Sequence, residues 1–316
     1  MSQLASEKSK ILFGATSNVL QGAKYLWILP TEERALIGQV AVDCNLSLPI
    51  AQTLVARGFR TKTEIENFLF CTYEKNVAHT SLMKDADKAV DRIFAAIEAG
   101  EKILIFGDYD VDGITSSALM MMCLPRLGAK VNFYLPNRKK DGYGLSTKFV
   151  RQAAKSGYKL IITVDNGITA FEPALVAKEL GIDLIITDHH RPHDHLPQAY
   201  AIVNPNQNDC NYPNKFLAGV GVTFKILALI YERKNLELPH KVYELLMLGT
   251  IADVVPLLGE NRFWVQYGLN LANQAQSLAF QVLKQNGKLE KAKLTATDVG
   301  FSLTPQINAL GRLEDP

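Results

Sequence analysis

Apolar positions recur along this chain with two different periods, and the change between them divides it. Between Thr31 and Phe70 they fall at helical spacing. Short helices are predicted over "EERALIGQVA", "LPIAQTLVARG" and "TKTEIENFLF", each restart marked by a Pro, Gly or Thr. "DADKAVDRIFAAIEAG" reads as an amphipathic helix closed by Gly100. Short, wholly apolar runs then alternate with helical segments. Strands are predicted at 102–107, 130–135, 159–165, 182–187 and 200–203, and helices at 115–127, 146–156 and 171–180. Strands apolar throughout imply a parallel sheet covered on both faces. After Gly219 helical periodicity returns through about residue 251 and largely persists to a loop-like ending, "INALGRLEDP". Residues 1 to about 25 lack periodicity and are expected to be poorly ordered. The expected fold class is α/β: a parallel β-sheet flanked by helices, preceded by a small helical N-terminal segment. The expected division is a helical N-terminal region over 1–85, an α/β domain over 86–260 and a helical connector over 261–316.

The densest chemistry lies in "ILIFGDYDVDGITSS", where Asp108, Asp110 and Asp112 occupy alternate positions before Gly113. A calcium-binding EF-hand loop begins this way, but its twelfth position needs a bidentate Glu and here is Leu119. Such a loop also leaves a helix, whereas Ile103–Phe106 is a strand-like run. In an extended chain the three aspartates share one face, with the outer α-carbons about 13 Å apart. One ion with ligand distances of roughly 2.1 Å cannot gather all three. Either the chain curls or the carboxylates serve two neighbouring ions. Gly113 permits a sharp turn, and Thr115 or Ser116 is the expected cap of the following helix. A solvated acidic turn is the plainer alternative.

Three strands end alike, in "KILIFGD", "KLIITVD" and "IDLIITD", each delivering an aspartate: Asp108, Asp165 and Asp188. Ligands of open parallel sheets bind at the carboxyl ends of strands, so these acids are expected in one crevice. Helix caps explain single cases equally well. The third ending continues as "TDHHRPHDH"; adjacent imidazoles point apart in an extended segment, so His189 and His190 are expected to differ in role. His193 and His195 lie in a hydrophilic stretch and are taken as solvated. "LGTIADVVPLLGENR" places Asp253 after an apolar helix, where a buried acid needs a partner.

Charge and composition narrow the field. The net charge is +2, so no global basic field advertises nucleic-acid binding, and any such surface is local. Lys148, Arg151 and Lys155 share one predicted helix face near Arg138, Lys139 and Lys140; they suit a nucleic-acid backbone or a solvated face. Cys44, Cys71, Cys123 and Cys210 form no C-x-x-C pair, as expected of reduced thiols. No apolar run spans a membrane, and the N-terminal stretch lacks the apolar core of a signal peptide. A soluble, cytoplasmic protein is expected.

"GDYDVDGITSSAL", "VDNGI", "TDHH" and "IADVVPLLGENR" together resemble the successive motifs of the DHH phosphoesterase superfamily. "PNRKKDGYGLS", "AIVNPNQ", "LAGVGVTFK" and "PQINALGR" are similar to its bacterial branch of single-strand-specific 5′-exonucleases, over nearly the whole chain from Thr31. The resemblance implies a DHH phosphoesterase domain with two ions, Mn²⁺ or Mg²⁺. Asp108, Asp110 and a bridging Asp165 would hold one; Asp112, Asp165, His189 and Asp253 would hold the other. Asp188 would orient an imidazole, and His190 would sit by the scissile phosphate. Asn308 and Arg312 would contact substrate; Gly219 and Gly221 open a helix, which suits either backbone amides against a phosphate or close packing. Gln306 departs from the arginine usual in that branch. The implied activity is metal-dependent 5′→3′ hydrolysis of single-stranded DNA in recombination and repair. The implied partners are single-stranded DNA, a single-strand-binding protein and a helicase, with the chain monomeric. The branch continues into a second domain and an oligonucleotide-binding barrel, so the chain is expected to be a fragment. A small-substrate phosphoesterase or pyrophosphatase, or a non-catalytic scaffold, is the alternative.

Overall fold

The computed structural model describes residues 19–28, 33–137, 141–275 and 277–313. Residues 1–18, expected to be poorly ordered, and the basic Arg138, Lys139 and Lys140 lie outside them. The chain divides into two compact units, Met1–Cys71 and Thr72–Pro316.

The first unit holds a two-stranded antiparallel hairpin, β1 (Val19–Gln21) and β2 (Leu26–Ile28), and three helices, α1 (Arg34–Asp43), α2 (Leu48–Ala56) and α3 (Lys62–Leu69). The hairpin corrects the expectation of poor order up to residue 25: the Gly22 amide donates to Tyr25 O across a tight turn that periodicity could not reveal. Val40, Ala51, Leu54, Val55 and Ile65 form this unit's core. A reciprocal cap between Thr61 and Glu64 starts α3.

The second unit opens with α4 (Tyr73–Asn76) and α5 (Ala86–Glu98), and then alternates. It runs β3 (Lys102–Phe106), α6 (Val111–Cys123), β4 (Lys130–Tyr134), α7 (Thr147–Lys155), β5 (Tyr158–Val164), α8 (Phe171–Glu179), β6 (Asp183–Thr187) and β7 (Ala201–Val203). The strands form one parallel sheet in the order β4-β3-β5-β6-β7. Side-chain alternation sorts the two faces. Ile103, Ile105, Leu160, Ile162 and Ile185 pack beneath α5, α6 and α9 (Gly219–Arg233); Leu104, Phe106, Ile161, Leu184 and Ile186 pack beneath α7 and α8. The apolar strands found in the sequence are thus strands buried on both sides.

The remaining helices are α10 (Lys241–Ala252), α11 (Gly259–Ala275), α12 (Leu278–Asn286), α13 (Ala296–Asp298) and α14 (Thr304–Leu313). They gather on a separate core that includes Met247, Val265, Phe280, Val299 and Leu303. A π-helical turn, Val299–Leu303, leads into α14, so the chain is helical where its sequence looked loop-like.

Candidate metal centre

Strand pairing places the acids. Phe106 pairs with Thr163 and Val164 with Thr187, so Asp108, Asp165 and Asp188 stand at equivalent positions past three adjacent strands. The pairing continues into them: the Asp165 amide donates to Thr187 O at 3.0 Å and the Asp188 amide to Val203 O at 3.1 Å. All three are almost fully buried.

The triple-aspartate run does not stay extended. Asp110 is the cap of α6, accepting from the Gly113 amide at 3.0 Å, so the helix starts at Val111 and neither Thr115 nor Ser116 is its cap. The chain curls at Asp110 and turns Asp112, in the first helical turn, toward the sheet. Gly113 lies under this curl, and a Cβ there would stand 2.6 Å from the Asp108 Cα. Thr115 donates instead to Val111 O at 2.7 Å.

Among the described residues, three overlapping groups of ligand-type atoms result: Asp108 with Asp110 and Asp165; Asp112 with His189 and Asp253; and Asp165 with His189 and His190. His189 Nε2 lies 3.2 Å from Asp165 Oδ1 and 3.8 Å from Asp112 Oδ2, while its Nδ1 lies 3.6 Å from Asp253 Oδ2. Asp165 belongs to two of these groups, and its Oδ1 faces the His189 ring that completes the third. It is held at φ 62°, a left-handed conformation that costs on the order of 1–3 kcal/mol outside glycine. Val254, next to Asp253, is held at φ 63°.

The donor set fits divalent cations. Asp165 Oδ1, His189 Nε2 and Asp253 Oδ2 are buried without hydrogen-bond partners, which is costly unless an ion satisfies them. Burial raises Asp108 to about 6; burial and then Asp253 raise Asp112 to about 8; burial and then Asp110 raise Asp253 to about 6. Asp165 is raised well above the carboxylate range by burial and by Asp112. Burial, reinforced by His190, lowers His189 to about 4, so its ring is neutral and ready to donate a lone pair. The Leu217 backbone faces the ring and favours its protonated form, against the larger effect of burial.

His190 is built differently. Its Nδ1 donates to Asp188 Oδ1 at 2.7 Å, and that partner raises it to about 9, making it a cation at neutral pH. Despite burial, Asp188 is lowered by His190 and backbone amides, among them Ile168 at 2.8 Å. The adjacent histidines thus differ in charge as well as direction: His189 is mostly buried and neutral, His190 nearly half exposed and charged.

The substrate residues suggested by sequence stand in other contacts. The Gly219 amide donates to Asp112 Oδ2 at 2.7 Å and the Val220 amide to its Oδ1 at 2.8 Å, so the start of α9 is committed to a carboxylate. Gly221 is buried against Leu217. Asn308 Oδ1 accepts from the Val111 amide at 3.0 Å, at the start of α6. Gln306 donates to Leu283 O and Ser302 O and faces its own helical layer. Arg312 lies in α14, with its side chain outside those described. Lys148, Arg151 and Lys155 are exposed on α7. His193 and His195 have ring contacts to Phe171 at the surface.

Supporting residues in the centre were not singled out from sequence. Asn166 donates to Phe106 O and Val164 O; Asn204 and Asn206 donate to His190 O and His189 O. Only Asn166, next to Asp165 in "VDN", adjoins a motif acid; "NPN" follows the last strand and reaches the histidines through the fold. Tyr143 is exposed on a Gly-Tyr-Gly turn, and partial burial and then the charges of Asp108, Asp188, Asp165 and Asp110 raise its hydroxyl.

Residues 102–250 match the DHH family, N-terminal domain. That stretch is a DHH-family N-terminal domain. It is 41% identical to the single-stranded-DNA-specific exonuclease RecJ of Bacillus subtilis strain 168, over 92% of this chain and 36% of the relative. It is 38% identical to the protein of that name from Escherichia coli K12, over 84% of this chain and 48% of the relative. A crystal structure of exonuclease RecJ bound to manganese superposes with TM-score 0.67 at 33% identity, covering 73% of this chain and 58% of that one. RecJ from Thermus thermophilus in complex with Mn²⁺ superposes with TM-score 0.72 at 29% identity, covering 90% and 40%. This chain thus spans about a third to a half of the two curated relatives. Among its described residues, no helix is long and apolar enough to cross a membrane.

Proposed function

We propose that this chain is the metal-binding catalytic portion of a 5′→3′ exonuclease that hydrolyses single-stranded DNA in recombination and repair. The observation that carries the reading is the sharing of Asp165 between the aspartate group on the β3 side and a histidine group on the β6 side. Asp108, Asp110 and Asp165 would hold one Mn²⁺ or Mg²⁺, and Asp112, Asp165, His189 and Asp253 the other. When bound, two such cations would supply an activated water and neutralise charge developing on a phosphate.

The chain's own side chains supply the rest. His190 Nδ1 is occupied by Asp188, so its outer Nε2–H is the donor aimed at a phosphate oxygen. Asp188 keeps that donor charged and fixes its ring. Tyr143 offers a hydroxyl on the same side, and Lys148, Arg151 and Lys155 offer a cationic track for a backbone. A soluble cytoplasmic monomer working with a single-strand-binding protein and a helicase fits this role.

End-labelled single strands test it. With Mn²⁺ at low salt, short single-stranded DNA should be trimmed distributively from its 5′ end and duplex spared, because backbone contacts weaken steeply with salt. Asp110→Ala should abolish trimming. Loss of label from the 3′ end first, or equal cutting of duplex, would overturn the reading.

A further inference from the structure

One buried side chain beside the centre carries no ligand atom yet touches two segments that shape it. Asn261, in the first turn of α11, is only 3% exposed. Its amide nitrogen donates to Phe216 O at 2.5 Å and to Pro256 O at 3.1 Å, and its oxygen accepts from Asn214 Nδ2 at 3.3 Å. Both amide hydrogens are therefore spent on carbonyls from separate stretches of chain. Phe216 precedes Leu217, whose backbone faces the His189 ring. Pro256 closes the short segment that begins at Asp253, whose Oδ2 lies 3.6 Å from the same ring. The two stretches approach His189 from different elements, and Asn261 ties them together.

We propose that Asn261 is a positioning residue for the ion held by Asp112, His189 and Asp253. Its side chain sets the gap between the Leu217 and Asp253 segments, and with it the orientation of His189 and the reach of Asp253. The inference rests on the metal-binding part of the function proposed above. The Asp253 segment needs a tie, because Val254 is a β-branched residue at φ 63° and relaxing it would carry Asp253 away. The neighbouring Glu260 is equally buried but engaged elsewhere, with Lys225 Nζ at 3.0 Å, Tyr212 Oη at 2.5 Å and Trp264 Nε1 at 3.2 Å. It provides a control that strains α11 without releasing either carbonyl.

The test is calorimetric titration of the full chain with Mn²⁺, beside thermal unfolding in chelator. Wild type should bind two ions. Asn261→Ala and Asn261→Asp should weaken one binding event roughly 10–100-fold and leave the other within about twofold, the range typical when a group supporting metal ligands is lost. Glu260→Gln should lower the unfolding temperature of the metal-free chain while leaving both affinities unchanged. Unchanged affinities in both Asn261 variants would overturn the proposal, as would equal weakening of both sites or failure of both variants to fold. Selective weakening by Glu260→Gln would overturn it too, by making the effect one of general loosening. A wild type that binds no Mn²⁺ would instead sink the metal reading itself.

Discussion

Gly219 leaves no room for a methyl group against Asp165: a Cβ there would overlap Oδ1 and stand 2.6 Å from the Asp165 Cβ. The same residue's amide holds Asp112 at 2.7 Å, so α9 cannot retreat without releasing a second acid. Gly219→Ala should therefore displace one carboxylate or the other. The expected cost is about 1–3 kcal/mol of folding stability, together with loss of at least one of two bound Mn²⁺ ions. Denaturant unfolding and metal titration measure the two effects. A stable variant with both affinities intact would show that the acids need no such close packing.

Proton linkage gives the metal-free chain an unusual pH profile. Asp108 and Asp253 titrate at about 6 and Asp112 at about 8, with Asp165 raised as well. Unfolded carboxylates ionise near a pKa of about 4. Each of these acids thus has a folded value above its unfolded one. The stability it supports is complete at low pH and drains away as pH rises from the unfolded value through the folded one. His190, raised to about 9, acts the same way above its ordinary value. His189, depressed to about 4, opposes them, adding stability as pH rises toward its ordinary value and nothing beyond. In chelator the melting temperature should fall in two comparable stretches, between about pH 4.5 and 6, where the four acids outweigh His189, and between about pH 6.5 and 8, where Asp112, Asp165 and His190 act without it. With saturating Mn²⁺ the slope should shrink or reverse, because the ion competes with those protons. A flat profile in chelator would mean that the acids are hydrated and unperturbed.

Asp188 and His190 form a separable unit. Asp188→Asn removes the charge that keeps the imidazole protonated, so the His190 pKa should drop from about 9 toward the ordinary histidine value. Two-dimensional NMR of the ring in metal-free protein reads this directly. His190→Ala should leave Mn²⁺ stoichiometry unchanged while slowing hydrolysis, whereas His189→Ala should weaken ion binding. Equal loss of metal in both would collapse the distinction between the rings.

Asn308 gives a prediction that needs no nucleic acid. Its carboxamide oxygen satisfies the Val111 amide, one of the otherwise unpaired donors at the start of α6. Asn308→Ala should cost about 0.5–2 kcal/mol, as cap removals do, and should weaken Mn²⁺ binding without DNA present. An effect confined to DNA affinity would return Asn308 to a purely substrate-facing role.

The sheet was legible from sequence because its strands are covered on both sides: "ILIF", "LIITV" and "LIIT" carry no polar residue apart from threonine. The ligand cluster was legible because parallel strands deliver their ends to one edge, and each of these three ends in an acid. What could not be read were interactions made across the fold by residues with many possible uses. Asn261 and Asn308 act through single side-chain amides over separations of 45 and 197 residues, and an asparagine in a helical stretch has no period to betray it. The hairpin at 19–28 escaped notice because its strands have three residues each, too short for alternation to register. Gly219 was read as an amide donor to phosphate because a glycine opening a helix signals a cradle equally well for any anion, and here the anion is Asp112.

The ladder hydrogen bonds that continue past the strands into Asp165 and Asp188 make the sheet a ruler for the side chains at its edge. Neighbouring strands stand about 4.8 Å apart, and that interval cannot be stretched without breaking main-chain pairing. The backbones supplying Asp108, Asp165 and Asp188 are therefore spaced by the fold rather than by the metals. A cation that prefers longer bonds and more ligands, such as Ca²⁺ at about 2.3–2.6 Å, would have to be accommodated by Asp110 and Asp253, which lie off the ladder. Ca²⁺ should accordingly raise the melting temperature of the chain but support the proposed hydrolysis poorly beside Mn²⁺.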